Sequence, residues 1–491
     1  MTDELPSSLS PQQYAENIEY SIGINRISSS TAADGFDNFD GFALTINGLV
    51  DSFEIHDSLD QMFRIAVMTL KDPSNYREVG PITGNEIISI MYRNALSTTE
   101  APHKIINFRI FSVKEILNPS KPEVLTHKLI RLILVEYPVY DFLTFNQVYK
   151  TYPISDDNTP TLQISQIVKD ILNEVPNLNK WCQLDIDDTE KENLNFYVPN
   201  WTPMKAINFL KKYATSDADQ YPLYVFYTRN DDGSKFARNK PVLTFKSVYS
   251  LVDDSSVSRA YGLSQQHVDK KPINQPEEDD DTSIPEDTSP KSYSPLDILL
   301  SYEFEFFDAS RMSFGDLSGQ TQSTFDYLED NMYFGSDYVN WQETKFKALT
   351  PYAMHSLKYG NQWSQFDHSG WHQKEAKKLL NQESYNKFSQ HTLLGGLRCK
   401  AISRVFESRN PGERAELIIA SGDRDRAVDM MMSGPWLTWS IIDKFDGSKA
   451  WSEIVFVKDS YTQIDDEFSY FKRVEMITGL SDLNSNLGGG S

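Results

Sequence analysis

Between Phe42 and about residue 150 the chain is a run of short alternating segments separated by turn residues, and this pattern constrains its fold more than any other feature. Ala43 to Asn47 alternates apolar and polar, Asn47-Gly48 is a turn dipeptide, and Leu49 to Ile55 alternates again. Further strand candidates run over Arg64–Leu70, Glu86–Tyr92, Ile105–Val113 and Lys128–Glu136. Successive side chains on a strand point to opposite faces, so this period of two buries one face of a sheet and leaves the other to solvent or a neighbour. Short strands at regular spacing, with hardly a helical pattern among them, predict a β-barrel or sandwich. Aromatic residues make up 12% of the chain, led by 28 Phe and 25 Tyr, which suits broad contacts on pleated faces.

The pattern changes near Asp156. Thr159-Pro160 reads as a helix start, with an amphipathic stretch through Leu162, Ile164, Ile167, Val168, Ile171, Leu172 and Val175 that Pro176 ends. Trp201-Thr-Pro203 starts a second helix through Met204, Ile207, Leu210 and Ala214, with Thr202 as its cap. The strands Leu223–Tyr227 and Val242–Phe245 complete a small α+β module over 156–260. Residues 264–295 read as a linker, because Glu277-Glu-Asp-Asp-Asp281 among Pro272, Pro276, Pro285 and Pro290 cannot bury a core. Strands return at Leu299–Phe307, Lys400–Glu407 and Ala415–Ala420, followed by a hairpin from Trp436 to Val457 around Asp446-Gly-Ser448. The polar, aromatic stretch over 315–395, with one helix expected near Gln373–Asn381, reads as an insertion in this second β-rich region, 298–460. Residues 1–41 read as an irregular arm and 461–491 as a C-terminal tail, flexible over Ser485–Ser491. The expected fold class is mainly β with α+β, and the two β-rich regions are compatible with two diverged copies of one design.

The 491 residues suffice for two to four domains. With 47 basic and 70 acidic residues, the net charge of −23 argues against gripping nucleic acid, which needs a basic surface to displace counterions from phosphates. Acidity suits a surface that DNA passes without sticking, a locally basic docking partner, or solubility alone. Two cysteines, Cys182 and Cys399, without a CxxC pair, point away from a disulfide scaffold and fit a reducing compartment. The first residues lack the basic and apolar regions of a signal peptide, and no apolar run approaches the ~20 residues of a membrane span, so no membrane insertion is expected.

Signals for chemistry are weak. His368 and His372 lie four apart, a spacing that holds zinc on a helix, but Gly370 lies between them and the HExxH glutamate is absent, so an ordinary polar loop is the favoured reading. The sequence contains neither GxxxxGK[ST] nor GxSxG, the signatures of a phosphate-binding loop and a nucleophile elbow. Paired carboxylates for glycoside hydrolysis have no local signature among the 70 acids. Cys182 beside Trp181 reads as a buried structural thiol. Trp436, Trp439 and Trp451 read as cross-strand core residues rather than a sugar platform. No catalytic, cofactor-binding or metal residue is therefore assigned, no cofactor is implied, and no enzymatic activity is expected.

Several stretches together resemble the baseplate hub proteins of T4-like contractile bacteriophages, which are related to hub modules of type VI secretion systems. They are Leu49–Asp60 leading to Ile65–Asp72, Gly80-Pro-Ile-Thr-Gly-Asn-Glu-Ile-Ile88, Phe108-Arg-Ile-Phe111, the Ile164–Leu172 helix, Asn200-Trp-Thr-Pro-Met-Lys-Ala-Ile-Asn-Phe-Leu210, and Ser433-Gly-Pro-Trp-Leu437 with its hairpin. They span most of 42–260 and 400–460; residues 1–40 and much of 264–395 fall outside. The resemblance implies two tail-tube-like β-barrels per chain and a homotrimer forming a pseudo-sixfold ring. That ring would sit between a hexameric tail tube, or its initiator protein, and a trimeric central spike. Baseplate wedge and tape-measure proteins are further implied neighbours, DNA passes the channel without specific binding, and the location is the virion tail, assembled in the host cytoplasm. Two alternatives stand beside it: a tail-tip peptidoglycan hydrolase, for which 315–395 has room, and a sugar-binding adhesin.

Overall fold

The computed structural model describes residues 18–26, 44–72, 82, 84, 86–95, 104–116, 128–137, 139–144, 148–152, 162–175, 178–192, 196–218, 221–230, 241–253, 258–262, 298–305, 323–326, 331–334, 353–354, 397–419, 432–447, 449–458 and 461–462. The first unit contains β1 (Ile18–Arg26), β2 (Leu44–Thr45), β3 (Val50–Ser58), β4 (Ile65–Asp72), β5 (Glu86–Asn94), β6 (Lys104–Ile116) and β7 (Lys128–Glu136). They pair antiparallel in the order β3-β4-β7-β6-β5-β1-β2. Alternation sends Phe53 and Ile55, Ala66 and Met68, Ile88 and Ile90, Ile106 and Phe108, and Leu132 and Leu134 into one core. At ~1.5–3 kcal/mol for each large apolar side chain taken out of water, this face sets the register of every strand.

The sheet curls shut where β2 runs into β3. Asn47–Leu49 is a 3-10 turn, so the Asn47-Gly48 dipeptide is not a two-residue hairpin. The Asn47 side chain instead accepts from the Ile22 amide at 2.7 Å and donates to the Tyr20 carbonyl at 3.0 Å, standing in for a peptide unit beside β1. The Tyr20 ring meets Phe53 edge-on at 5.5 Å across the seam. β1 lies inside the segment expected to be an irregular arm. Its sequence alternates Ile18, Tyr20, Ile22 and Ile24 with Glu19, Ser21 and Gly23, the period of two that a strand on the barrel core requires, and it pairs along its length with β5.

The α+β module follows: a helix Val139–Thr144, β8 (Val148–Tyr152), β9 (Leu162–Gln163), a helix Ile164–Glu174, a turn of helix Leu178–Trp181, β10 (Gln183–Ile186), β11 (Lys191–Glu192), β12 (Phe196–Trp201), a helix Pro203–Leu210, β13 (Tyr224–Asn230), β14 (Pro241–Ser247) and a helix Val248–Asp253. Thr202 caps the Pro203 helix, accepting from the Lys205 amide at 3.4 Å, as its sequence predicts. The longer helix starts at Ile164 rather than after Thr159-Pro160, because Leu162–Gln163 is already engaged as a strand with β11. Thr159 and Pro160 lie outside the described residues. The three-stranded sheet β10-β14-β13 packs Tyr224, Phe226, Leu243 and Phe245 against the helices. Its other face turns Leu223, Val225 and Tyr227 toward the second β unit.

That unit comprises β15 (Ser258–Gly262), β16 (Leu299–Glu305), β17 (Ser323–Asp326), β18 (Asn331–Phe334), β19 (Ala353–Met354), β20 (Leu397–Ser403), β21 (Arg414–Ile418), β22 (Gly434–Asp446), β23 (Lys449–Lys458) and β24 (Tyr461–Thr462). Among the described residues β17 pairs with β18 and β19 with β24; the helix expected near Gln373 and most of the insertion and linker lie outside the described residues. The other six strands pair as β16-β20-β23-β22-β21-β15, and a bridge between Gly262 and Ile298 returns β15 to β16. A second barrel results, around Cys399, Ala415, Leu417, Trp436, Ile454 and Phe456.

In chain order, the six long strands of each barrel pair identically. The first joins the fourth, the fourth the fifth, the fifth the sixth, the sixth the third, and the third the second. The correspondence reaches individual residues. β6 and β22 each have 13 residues, and each breaks register against its hairpin partner around one extra aromatic residue, Phe111 in β6 and Trp439 in β22. Matched at these bulges, Phe108 corresponds to Trp436, Ile88 to Ala415, Leu134 to Phe456 and Ala66 to Cys399, every one buried in its barrel. One pairing differs: β1 runs antiparallel to β5, whereas β15 runs parallel to β21. The barrels share one continuous sheet, because the outer half of β22, Ser440–Asp446, pairs antiparallel with β3.

Candidate functional site

The three units meet at a sealed polar junction. Arg64, 1% exposed at the start of β4, donates from Nε to Asp57 Oδ2 at 2.7 Å and from Nη1 to Glu136 Oε1 at 3.3 Å and Asn230 Oδ1 at 2.7 Å. Glu136 also accepts from the Arg64 amide at 3.2 Å and the Thr228 hydroxyl at 2.6 Å. One guanidinium thus ties the ends of β3 and β7 to β13 of the module. Burial opposes its charge, but the Asp57 and Glu136 carboxylates outweigh that penalty and hold Arg64 protonated above its ordinary range.

Around this centre, further buried groups tie barrel to barrel. The Tyr92 hydroxyl donates to Asp443 at 2.7 Å, and Asp443 also accepts from Ser452 at 2.6 Å. Burial first, then Asp443, raises Tyr92 well above an ordinary phenol. Asn94 donates from its side chain to the Val405 carbonyl at 2.7 Å and from its amide to Glu407 at 3.1 Å, and Lys104 Nζ donates to the Arg409 carbonyl at 3.3 Å. Burial lowers the Lys104 ammonium from its usual value. Asn410 accepts from the Asn230 amide at 2.9 Å and donates to Glu413 at 3.2 Å, while Arg259 holds the other Glu413 oxygen at 3.1 Å. Burial raises the Glu413 carboxyl against the pull of Arg259.

Chemically this is a lock. Asp57 and Glu136 share one cation, an arrangement unlike the acid and base of a glycosidase, which need a proton on one partner and substrate between them. Among the described residues no group of three or more His, Cys, Asp or Glu is arranged to hold a metal. His368 and His372 lie outside the described residues. Cys182 is buried in the module core beside Trp181, and burial pushes the Cys399 thiol up to about 12. Of the tryptophans, Trp436 sits in the second barrel's core, as expected. Trp439 is also buried, in the core shared with the module, its Nε1 donating to Asp60 at 2.7 Å, whereas Trp451 is only half-buried, donating to Glu453 at 3.3 Å.

Two surface features remain. A cleft of about 280 Å³ lies between the units, lined by Leu59, Asp60, Lys211, Leu223, Val225 and Trp439 among others. On the first barrel's wall, Phe111 is 53% and Val113 41% exposed, both on the outer half of β6; Leu143, on the helix after β7, is 38% exposed. Neither the junction nor the β6 surface was singled out from sequence, yet the junction leaves a trace there. Asp57 and Asp443 occupy inward positions of their alternating strands, in step with Phe53 and Ile55 and with Ile441 and Phe445.

No protein-family model and no curated protein matches the sequence. Among solved structures, the chain is similar to the tail protein from Neisseria meningitidis at 9% identity and a TM-score of 0.48, covering 90% of this chain and 97% of that one. It is similar to the 43 kDa tail protein of prophage MuSo2 from Shewanella oneidensis at 9% identity and a TM-score of 0.44, covering 90% and 98%. It is similar also to an E. coli component of the type VI secretion system, itself described as structurally similar to T4 bacteriophage tail proteins, at 9% identity and a TM-score of 0.39, covering 86% and 75%.

Proposed function

We propose that this chain is the structural hub of a contractile phage tail baseplate. Three copies form a pseudo-sixfold ring that joins a hexameric tail tube to a trimeric central spike and leaves a channel for DNA. The observation that carries the reading is the duplication: two barrels of one connectivity lie edge to edge in one chain through the β22–β3 ladder. A trimer of such chains presents six similar barrels to one neighbour and three identical module faces to the other, so one component meets both symmetries. The ordered resemblance of Leu49–Asp72, Asn200–Leu210 and Ser433–Leu437 to baseplate hubs supports the same assignment. The net charge of −23 suits a channel wall that repels phosphate, which makes the wall itself an expected acidic surface.

The test is the mass and symmetry of the protein assembled with its spike. A trimer with six barrels around a common axis is expected; any other copy number removes the adaptor role, and a basic channel wall removes the proposed passage mechanism. Clearing of peptidoglycan in a zymogram of the purified chain would replace this reading with a tail-tip hydrolase.

A further inference from the structure

The duplication makes Phe111 and Val113 informative, because each has a counterpart in the second barrel whose environment is known. Phe111 corresponds to Trp439, the extra residue of the β22 bulge, and Val113 corresponds to Ile441. Trp439 is 4% and Ile441 3% exposed. Trp439 is covered by the module, in one cluster with Leu59, Leu223 and Tyr227, and Ile441 lies in the second barrel's core at a position of β22 that pairs with Asp57 of β3. In the first barrel the β5–β6 ladder stops at Ile87 and Arg109, before the outer half of β6 begins. The strand that plays the part of β3 in the second barrel is β16, which ends the path of the large sheet beside β20.

We propose that the outer half of β6, Phe111 to Ile116, pairs antiparallel with β16 of a second copy of this chain, repeating between chains the ladder that β22 makes with β3 within one. The contact is heterologous: each chain offers β6 at one end and β16 at the other, so successive copies join head to tail and close when the rotation allows. The register carries over pair by pair. Matching the barrels at their bulges and cores places Lys114 where Ile442 stands and Glu305 where His56 stands, and Ile442 faces His56 in the β22–β3 ladder. Lys114 therefore comes opposite Glu305, an opposite-charge pair at the centre of the new ladder, with Ile116 opposite Glu303. Glu305 already lies beside two cations of its own barrel, at 3.4 Å from Arg398 and 2.5 Å from Lys400, so Lys114 extends a charge cluster rather than creating one.

This inference deepens the hub reading and rests on it only for the number of copies. Lys114→Cys and Glu305→Cys are introduced together in the full chain and oxidised after assembly, the native Cys182 and Cys399 both being buried. Covalent closed trimers are expected from the double variant, and covalent dimers alone from an equal mixture of the two single variants. Lys114→Cys with Glu303→Cys serves as the register control; crosslinking there and not at 305 overturns the proposed pairing. Independently, Phe111→Asp and Val113→Lys change side chains that are exposed in the single chain. They should leave its thermal unfolding within a degree or two and weaken self-association by tenfold or more. A trimer that forms without the 114–305 crosslink and ignores Phe111→Asp overturns the strand pairing and leaves the hub standing. A crosslinked ring of another size does the reverse, and a chain that stays monomeric with and without its spike up to the limit of solubility overturns both.

Discussion

Replacing Arg64 with methionine keeps most of the side chain's volume and removes its charge, and the structure indicates how much that costs. Three hydrogen bonds are lost, to Asp57, Glu136 and Asn230, all in a site where Arg64 is 1% exposed. Glu136 keeps the Thr228 hydroxyl and the residue-64 amide, whereas Asp57 loses its cation outright. An exposed ion pair is worth ~0–1 kcal/mol, but removing one partner of a buried pair costs ~3–5 kcal/mol, because the remaining charge stays out of water. Burial decides between these cases, and it places Arg64→Met at about 3–5 kcal/mol. The assay is equilibrium urea unfolding followed by tryptophan fluorescence, read at the first transition, since a chain of several units need not unfold in one step. Adding Asp57→Asn and Glu136→Gln to Arg64→Met removes the stranded charges and should recover most of the loss. A single-variant loss below about 1 kcal/mol, or a triple variant worse than the single, would refute the view that buried charge ties the barrels to the module.

Phe445 enters the first barrel from β22 and stacks on Phe53 at 4.1 Å with Tyr92 edge-on at 5.3 Å, so Phe445→Ala should cost ~3–5 kcal/mol and loosen the two barrels together, as hydrogen exchange in β3 and β5 would show. Gly412 has φ of +83° and a methyl there would run into the buried Tyr227 hydroxyl, so Gly412→Ala should destabilise by ~2–4 kcal/mol in a thermal melt, from overpacking and the left-handed backbone together. Glu413 is raised from its ordinary 4.5 by burial; a carboxyl with a higher folded value stabilises fully below the unfolded value and loses that contribution as pH rises through the folded one. Glu413→Gln should therefore gain stability relative to the native chain between pH 4.5 and neutrality, and a relative loss over that window in paired urea titrations would contradict the burial of this group.

The strands of the barrels were legible where alternation is strong. Glu86–Asn94, Lys128–Glu136 and the β22–β23 hairpin fall close to where the period of two places them, and Asp446-Gly447 turns that hairpin with Gly447 at φ of +58°. The two opening strands were not. β1 alternates Ile18, Tyr20, Ile22 and Ile24 but stands isolated among Ser- and Asn-rich neighbours, and β15 is only five residues, Ser258 to Gly262; both take their place from the strands that pair with them, and a pairing is not a local property of sequence. The same holds for the junction. Asp57, Glu136 and Asn230 are distant in the chain and converge on Arg64 only through the topology. A charged residue at an inward position, such as Asp57 or Asp443, was the one available hint that something other than apolar packing occupies that end of the core. That the two β-rich regions share one design was compatible with the sequence, but Leu134 matched to Phe456 and Ala66 to Cys399 show why alignment by eye fails: position and burial correspond while side-chain volume does not.

The bulge at Trp439 explains how one strand can serve two barrels. Before it, β22 pairs with β21 and closes the second barrel; after it, the same edge of the strand has turned to meet β3. An extra residue on one strand increases local twist and bends it, which lets the sheet leave one barrel and enter the next without a break in hydrogen bonding. The angle between the barrels is therefore set by the bulge, by the β22–β3 ladder and by Phe445, the β22 side chain that reaches past the bulge into the first barrel's core. On the ring reading, closure after three chains requires the junction between chains to repeat that angle, and β6 carries the same bulge at the same place, at Phe111. Deleting Phe111 should straighten β6 while Ser112 to Ile116 keep their present partners on β7, so the change is confined to the bend. The barrel would keep its inner half, paired through Arg109 to β5, while assembly would fail or give open chains. Rings of normal size from the deletion variant, seen by electron microscopy, would mean that the bulge does not set the geometry between copies.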